Sequence, residues 1–100
     1  MSDTKKLFSV LTDDLEHCFV CGSNVVAIHH IFYGRANRMK SEKYGFLVPL
    51  HPRWHTESND AIHRGNTELD TKLKQLAQAY YEEYIGTRTD FIIEFGKSWL

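Results

Sequence analysis

Both cysteines and all six histidines of this chain fall within residues 17–63. They come in short runs: H-C-F-V-C-G from His17, H-H-I-F from His29, H-P-R-W-H from His51, and then His63. Cysteine and histidine are the side chains that hold transition metals, and histidine moves protons near neutral pH. A chain that keeps every one of them in under half its length is expected to fold around that segment. The remainder reads as scaffold.

One hundred residues make a single domain, 1–100, with the chemistry in a core over 18–63 and a helical part over 67–100. A domain this small buries a modest core, so a metal that ties the chain together would add stability. With 42% apolar and 25% charged residues, the composition is that of an ordinary globular protein and not of a disordered one. The net charge of −1 is not that of a strongly basic nucleic-acid binder. Locally the balance differs: Arg35, Arg38, Lys40 and Lys43 cluster, and Arg53 follows. Such a patch can hold phosphates without a basic whole, although on charge alone a solvated loop fits as well. No apolar run is long enough for a membrane helix, and there is no signal-peptide pattern. The expected compartment is therefore the cytoplasm. A C-x-x-C there points to metal or redox chemistry, not to a structural disulfide.

Residues 1–6 are polar and read as a frayed end. Leu7–Leu15 fits a short helix or an extended lead-in. Cys18–Gly22 reads as a knuckle, since two thiols at this spacing face one point only if the chain turns between them. Val25–Tyr33, rich in β-branched and aromatic residues, predicts a strand. Gly34–Gly45 predicts a polar, turn-prone loop. Phe46–Leu50 predicts a second strand, with Pro49 placing it at an edge. Pro52 suits the first turn of a helix reaching to about Ile62, interruptible at Ser58-Asn59-Asp60. Gly65 and Asn66 punctuate. Thr67, with Asp70 three residues on, predicts an acidic variant of the capping box. Leu69, Leu73, Leu76, Ala77, Tyr80 and Tyr84 then make an apolar stripe at helical spacing, with Gly86 as the stop. Asp90–Phe95 fits a short helix or strand packing Phe91, Ile92, Phe95 and Trp99 on the core.

Adjacent residues on a strand point to opposite faces. His29 and His30 therefore do not easily ligate one metal together. One can be a ligand while the other reaches the substrate side. That division suits metal-assisted hydrolysis, which needs a cation to stabilise the charge on phosphorus oxygens and a base to activate water.

The stretch C-F-V-C-G, H-H-I-F, G-R-A-N-R-M-K-S-E-K-Y-G, L-V-P-L and H-P-R-W-H resembles the HNH nucleases, the ββα-metal or His-Me finger endonucleases, and most of all their small phage and prophage members. The resemblance covers about half the chain, from Cys18 to His63. It implies an α+β fold, with a small ββα-metal core, a zinc knuckle and flanking C-terminal helices. It implies DNA as the partner and phosphodiester hydrolysis as the reaction, in the cytoplasm of a bacterial host if phage encoded. Carried across, His29 binds the catalytic divalent metal (Mg²⁺, Mn²⁺, Ni²⁺ or Zn²⁺) and His30 is the general base. His55 is the second ligand and His63 the candidate third.

Many members carry a structural zinc on two C-x-x-C pairs. Cys18 and Cys21 match the first pair. The second would fall at His51 and Trp54. Histidine replaces cysteine at such sites, whereas tryptophan does not, so a fourth ligand would come from His63 or His17. Should His63 serve there, the catalytic metal keeps His29, His55 and waters, an arrangement a hard ion such as Mg²⁺ accepts. The family's middle asparagine is Phe46 here, and neither Asn37 nor Asn59 can be assigned to its role.

Arg38, and with it Arg35 and Arg53, is the candidate grip on the DNA backbone, since a guanidinium donates two parallel hydrogen bonds to phosphate. One small ββα unit contacts mostly phosphates and is weakly specific unless it dimerises or joins a larger complex, with a homodimer or a phage or host protein as partner. Tyr80, Tyr81 and Tyr84 read as helix packing before base stacking. The main rival is a non-catalytic zinc-binding module for nucleic acid or protein, with one closed tetrahedral site. A thiol redox protein is a second rival, disfavoured because Gly22-Ser23-Asn24 does not open a helix after the thiols.

Overall fold

The computed structural model describes residues 7–57 and 67–100. The expected frayed end 1–6, the far part of the helix expected over 52–62, His63 and the Gly65-Asn66 break lie outside them. The described chain is a small α+β unit. A strand, β1 (Ala27–His30), leads into helix α1 (Arg35–Tyr44), then strand β2 (Leu47–Leu50) and a π-helical turn, Arg53–Glu57. Helices α2 (Thr67–Tyr84) and α3 (Arg88–Phe95) complete it.

The two strands pair antiparallel, with His29 opposite Val48 and His30 opposite Leu47. The Ile31 N–H donates to the Phe46 carbonyl at 3.0 Å, extending the ladder by one step. Pro49 takes the Phe19 N–H on its carbonyl at 2.8 Å. In an antiparallel pair a residue's N–H and C=O point the same way. The nitrogen of Pro49 therefore faces away from β1, where a missing donor breaks no ladder bond, as the edge reading required. The lead-in 7–15 is not helical; the Val10 N–H ties it to the Gly45 carbonyl at 2.9 Å.

The expected loop 34–45 is instead the helix α1. Its two glycines are the ends of the helix and not a turn. Gly34 is the N-cap at φ 95°, and Gly45 is the C-cap in the left-handed region at φ 76°. A side chain at Gly45 would also run into the Phe8 ring. Arg, Ala, Met, Lys and Glu between the glycines are good helix formers. No apolar stripe advertised the helix because its inner face is polar. Ser41 is fully buried; its Oγ donates to the Phe32 carbonyl at 2.7 Å and accepts from the Phe32 N–H at 3.0 Å.

The core gathers Ile31, Phe32, Phe46, Val48, Leu50, Leu73, Ala77, Tyr81, Phe91 and Phe95. Its aromatic rings meet in tilted, stacked and edge-on pairs: Phe32–Phe95 tilted at 4.5 Å, Phe91–Phe95 stacked at 4.8 Å and Tyr81–Phe91 edge-on at 5.3 Å. Each such pair adds about 0.5–1.5 kcal/mol beyond the area it buries. Helix α3 starts at a full capping box: the Thr87 hydroxyl accepts from the Asp90 N–H, and the Asp90 carboxylate accepts from the Thr87 N–H. Tyr44 links α1 to α3 by donating to Glu94; the Lys40 ammonium donates to the Glu94 carbonyl.

Helix α2 begins where expected, but its buried face is Asp70, Leu73, Lys74, Ala77, Gln78 and Tyr81. Leu76 and Tyr84 of the expected stripe are exposed, Tyr84 by 70%. The helix is rotated because three polar side chains find partners inside. Lys74 donates to Asp70 Oδ2 at 3.0 Å, and its ammonium lies over the Tyr33 and Trp99 rings at 4.5 and 4.3 Å. Gln78 Oε1 accepts from the Trp99 N–H at 2.7 Å, and Gln78 Nε2 donates to Ser98 Oγ at 2.9 Å. The T-x-x-D at Thr67 does not close a capping box, because the Asp70 carboxylate turns inward to Lys74 and to the Tyr33 hydroxyl. The same motif at Thr87 does close one.

Asp70→Ala leaves the Lys74 ammonium buried without its carboxylate. Urea unfolding is expected to show a loss of about 3–5 kcal/mol. The double variant Asp70→Leu, Lys74→Met is expected to recover most of it, because no charge is then left alone.

Candidate active site

β1 carries the histidine pair and the elements around it supply the neighbours. Both histidines are buried, His29 to 1% exposure and His30 to 9%. They take different neighbours, as strand alternation requires. The His29 ring lies edge-on to His55 with centroids 5.2 Å apart, and tilts on Tyr33 at 5.9 Å. His30 turns to α1, where its Nε2 is 2.8 Å from Glu42 Oε2. β2 and the π-helical turn bring His55 back to His29, across a sequence gap that no local pattern bridges.

The His29–His55 pair has the spacing of two imidazoles on one divalent ion. With metal–nitrogen distances of about 2.1 Å and tetrahedral angles, ring centres fall about 5 Å apart. His29 and His55 are two of the candidate ligands. Among the described residues no three His, Cys, Asp or Glu side chains converge so as to hold a metal ion. The third expected ligand, His63, lies outside those residues.

The chain turns at Cys18–Gly22. The Gly22 N–H donates to the Cys18 carbonyl at 2.9 Å, with Gly22 at φ 79°. Cys18 Sγ accepts from three backbone N–H groups: Val20 at 3.4 Å, Cys21 at 3.4 Å and His51 at 3.3 Å. Burial pushes the Cys18 thiol up, but the three backbone donors together with the Cys21 side chain hold the group below its ordinary value. A sulfur surrounded by donors suits a metal-bound thiolate. Cys21 is exposed. His51 reaches the knuckle through its backbone, while its ring Nδ1 accepts from the Arg53 N–H at 3.0 Å. Its Nε2 is the nitrogen left for a ligand. His17, the alternative fourth ligand, pairs its Nδ1 with Asp14 at 2.8 Å on the surface. Asp14 is held below the ordinary carboxylate range, first by the Glu16 N–H and then by His17.

Of the basic residues, Arg35, Arg38 and Lys43 stand exposed on α1. Arg38 is one turn before Glu42, on the side of the helix that meets His30. Lys40 is occupied at Glu94. Arg53 stacks on Trp54 at 5.0 Å. Phe46, where the resemblance would place an asparagine, is fully buried in the core.

Three residues near the histidines were not foreseen: Glu42, Tyr33 and Asp70. A helix reading of the stretch between the two glycines would have put Glu42 on a definable face. Tyr33 and Asp70 meet only through the fold. Compared with protein-family models, curated proteins and solved structures, the chain finds no match to any.

The Tyr33 hydroxyl donates to Asp70 Oδ2 at 3.1 Å. Burial first, then the Asp70 charge and this hydrogen bond, push Tyr33 from 10.0 to about 12. The unfolded chain releases this proton near pH 10, while the folded chain keeps it to about pH 12. The stabilisation is therefore complete below pH 10 and is lost as pH rises towards 12. Melting temperatures across this window are expected to fall less steeply for Tyr33→Phe than for the wild type. Tyr44 and Tyr81, also raised by burial, keep part of the decline.

Proposed function

We propose that this chain is a metal-dependent endonuclease that hydrolyses DNA phosphodiester bonds on a ββα-metal core. The observation that carries the reading is the His29–His55 ring pair beside His30, itself held by Glu42. One residue step on a strand separates a ligand from a base, which is the division that hydrolysis of a phosphodiester needs.

His29 and His55, with His63, would hold the divalent ion, and Cys18, Cys21 and His51 a structural zinc. When bound, the catalytic ion supplies Lewis-acid stabilisation of the developing oxyanion. His30 takes a proton from water as the water oxygen bonds to phosphorus and the leaving oxygen departs. Arg38 and Arg35, exposed on α1, grip phosphates beside the scissile bond, and Arg53 does so from the π-helical turn. These contacts carry no base readout, so sequence preference would come from a second copy or a phage or host protein. Among the described residues no helix is long and apolar enough to cross a membrane.

A second reading, a zinc-binding module without catalysis, is favoured by the three N–H donors on Cys18 Sγ. Its weakness is that it leaves His29, His30 and His55 without a task.

Supercoiled plasmid incubated with Mg²⁺, Mn²⁺, Ni²⁺ or Zn²⁺ separates the two. The wild type is expected to nick or linearise it. His30→Ala, purified in parallel with unchanged zinc content, is expected to be slower by about 10²–10⁴-fold. Equal rates for the two proteins, or no cleavage with any metal, would remove the nuclease reading. Arg38→Ala is expected to weaken binding of a short duplex uniformly across sequences and to reduce the salt slope of log Kd by about 1.

A further inference from the structure

We infer that Glu42 is the positioning residue of the histidine site: it holds His30 in the Nε2–H tautomer and so makes Nδ1 the nitrogen that faces water. The use of Nδ1 as the base rests on the nuclease reading. The tautomer does not.

The contact is between His30 Nε2 and Glu42 Oε2, at 2.8 Å, with side-chain exposures of 9% and 22%. A carboxylate only accepts. The hydrogen in this contact therefore belongs to Nε2, and the lone pair of the neutral ring is on Nδ1. Nδ1 makes no hydrogen bond to another described residue. A contact so little exposed leaves water small room to compete for Nε2.

Glu42 is delivered to this position by the fold. The preceding residue, Ser41, is fully buried and clamps both backbone groups of Phe32. Position 41 is thereby fixed against 32, two residues beyond His30. The Gly34 and Gly45 caps set where α1 starts and stops. The Tyr44–Glu94 bond holds its last turn against α3. The helix cannot slide or turn without breaking buried hydrogen bonds, so Glu42 stays on Nε2. Histidines at functional sites commonly have the working nitrogen chosen by the partner of the other.

The test is a two-bond ¹H–¹⁵N spectrum of the whole ¹⁵N-labelled chain, with the His30 signals assigned through His30→Ala. Wild type is expected to show a single Nε2–H form at His30. Glu42→Gln keeps the size and hydrogen-bonding capacity of the side chain, but its amide donates as well as accepts. A purely structural role survives that change; selection of the tautomer does not. The variant is expected to fold and to show a mixture containing the Nδ1–H form. In plasmid cleavage its kcat is expected to fall about tenfold or more while KM stays within about twofold. A wild-type spectrum with the hydrogen on Nδ1 would overturn the inference, with no variant needed. So would a Glu42→Gln spectrum identical to the wild type. A plasmid left intact by the wild type, with the tautomer shift observed, would uphold Glu42 as the selector and overturn only the nuclease reading.

Discussion

Ser41 Oγ, wholly out of water, makes two hydrogen bonds to the backbone of Phe32. Those two bonds dock α1 on the segment that leaves β1, and much else depends on that docking. With α1 seated, Glu42 meets His30, Tyr44 reaches Glu94 and stacks on Phe46, and the Gly45 turn feeds directly into β2. A hydroxyl that both donates and accepts inside a core leaves neither partner unsatisfied, so the polar contact stabilises where an unmatched one would cost about 1–3 kcal/mol. An alanine at this position would leave the Phe32 N–H and C=O buried without partners and would loosen the helix that carries Glu42.

The same principle shapes α2. Its inner face holds an acid, a base and an amide, and each takes a partner from elsewhere in the chain, with Asp70 bonded through Oδ2 alone and its Oδ1 buried without a hydrogen bond. Asp70 and Lys74 take Tyr33 and Trp99 into a compact cluster beside His29. Gln78 ties down the C-terminal residues. The histidine strand is thus held on one side by α1 and on the other through Tyr33 by α2. A site that must keep its side chains within a fraction of an ångström is better supported by such fixed contacts than by loops.

The parts of this fold that local chemistry dictates were legible in the sequence. The strand pair followed from β-branched and aromatic runs, the edge position from Pro49, the long helix from its period, and the turn at Cys18–Gly22 from C-x-x-C with Gly22. The histidine segment stood out by composition, and alternation on the strand foretold that His29 and His30 would face different neighbours. What the pattern hid was polar burial. Residues 35–44 lack an apolar stripe because Ser41 and Tyr44 bury through hydrogen bonds, so the helix read as a loop. The stripe on α2 was placed about one residue off because Asp70, Lys74 and Gln78 look like surface residues until Tyr33, Trp99 and Ser98 arrive beside them. Asp70 read as a capping residue for the same reason. Glu42 was invisible while its helix was.

The nuclease proposal requires His29 and His55 to share a divalent ion next to His30. Crystals grown with Mn²⁺, with diffraction recorded for the anomalous signal of manganese, test it most directly. An anomalous peak within ligand distance of both His29 and His55 is the expected result. Metal found at Cys18 and Cys21 alone, with nothing between the two histidines, would contradict it and leave a zinc-binding module in its place.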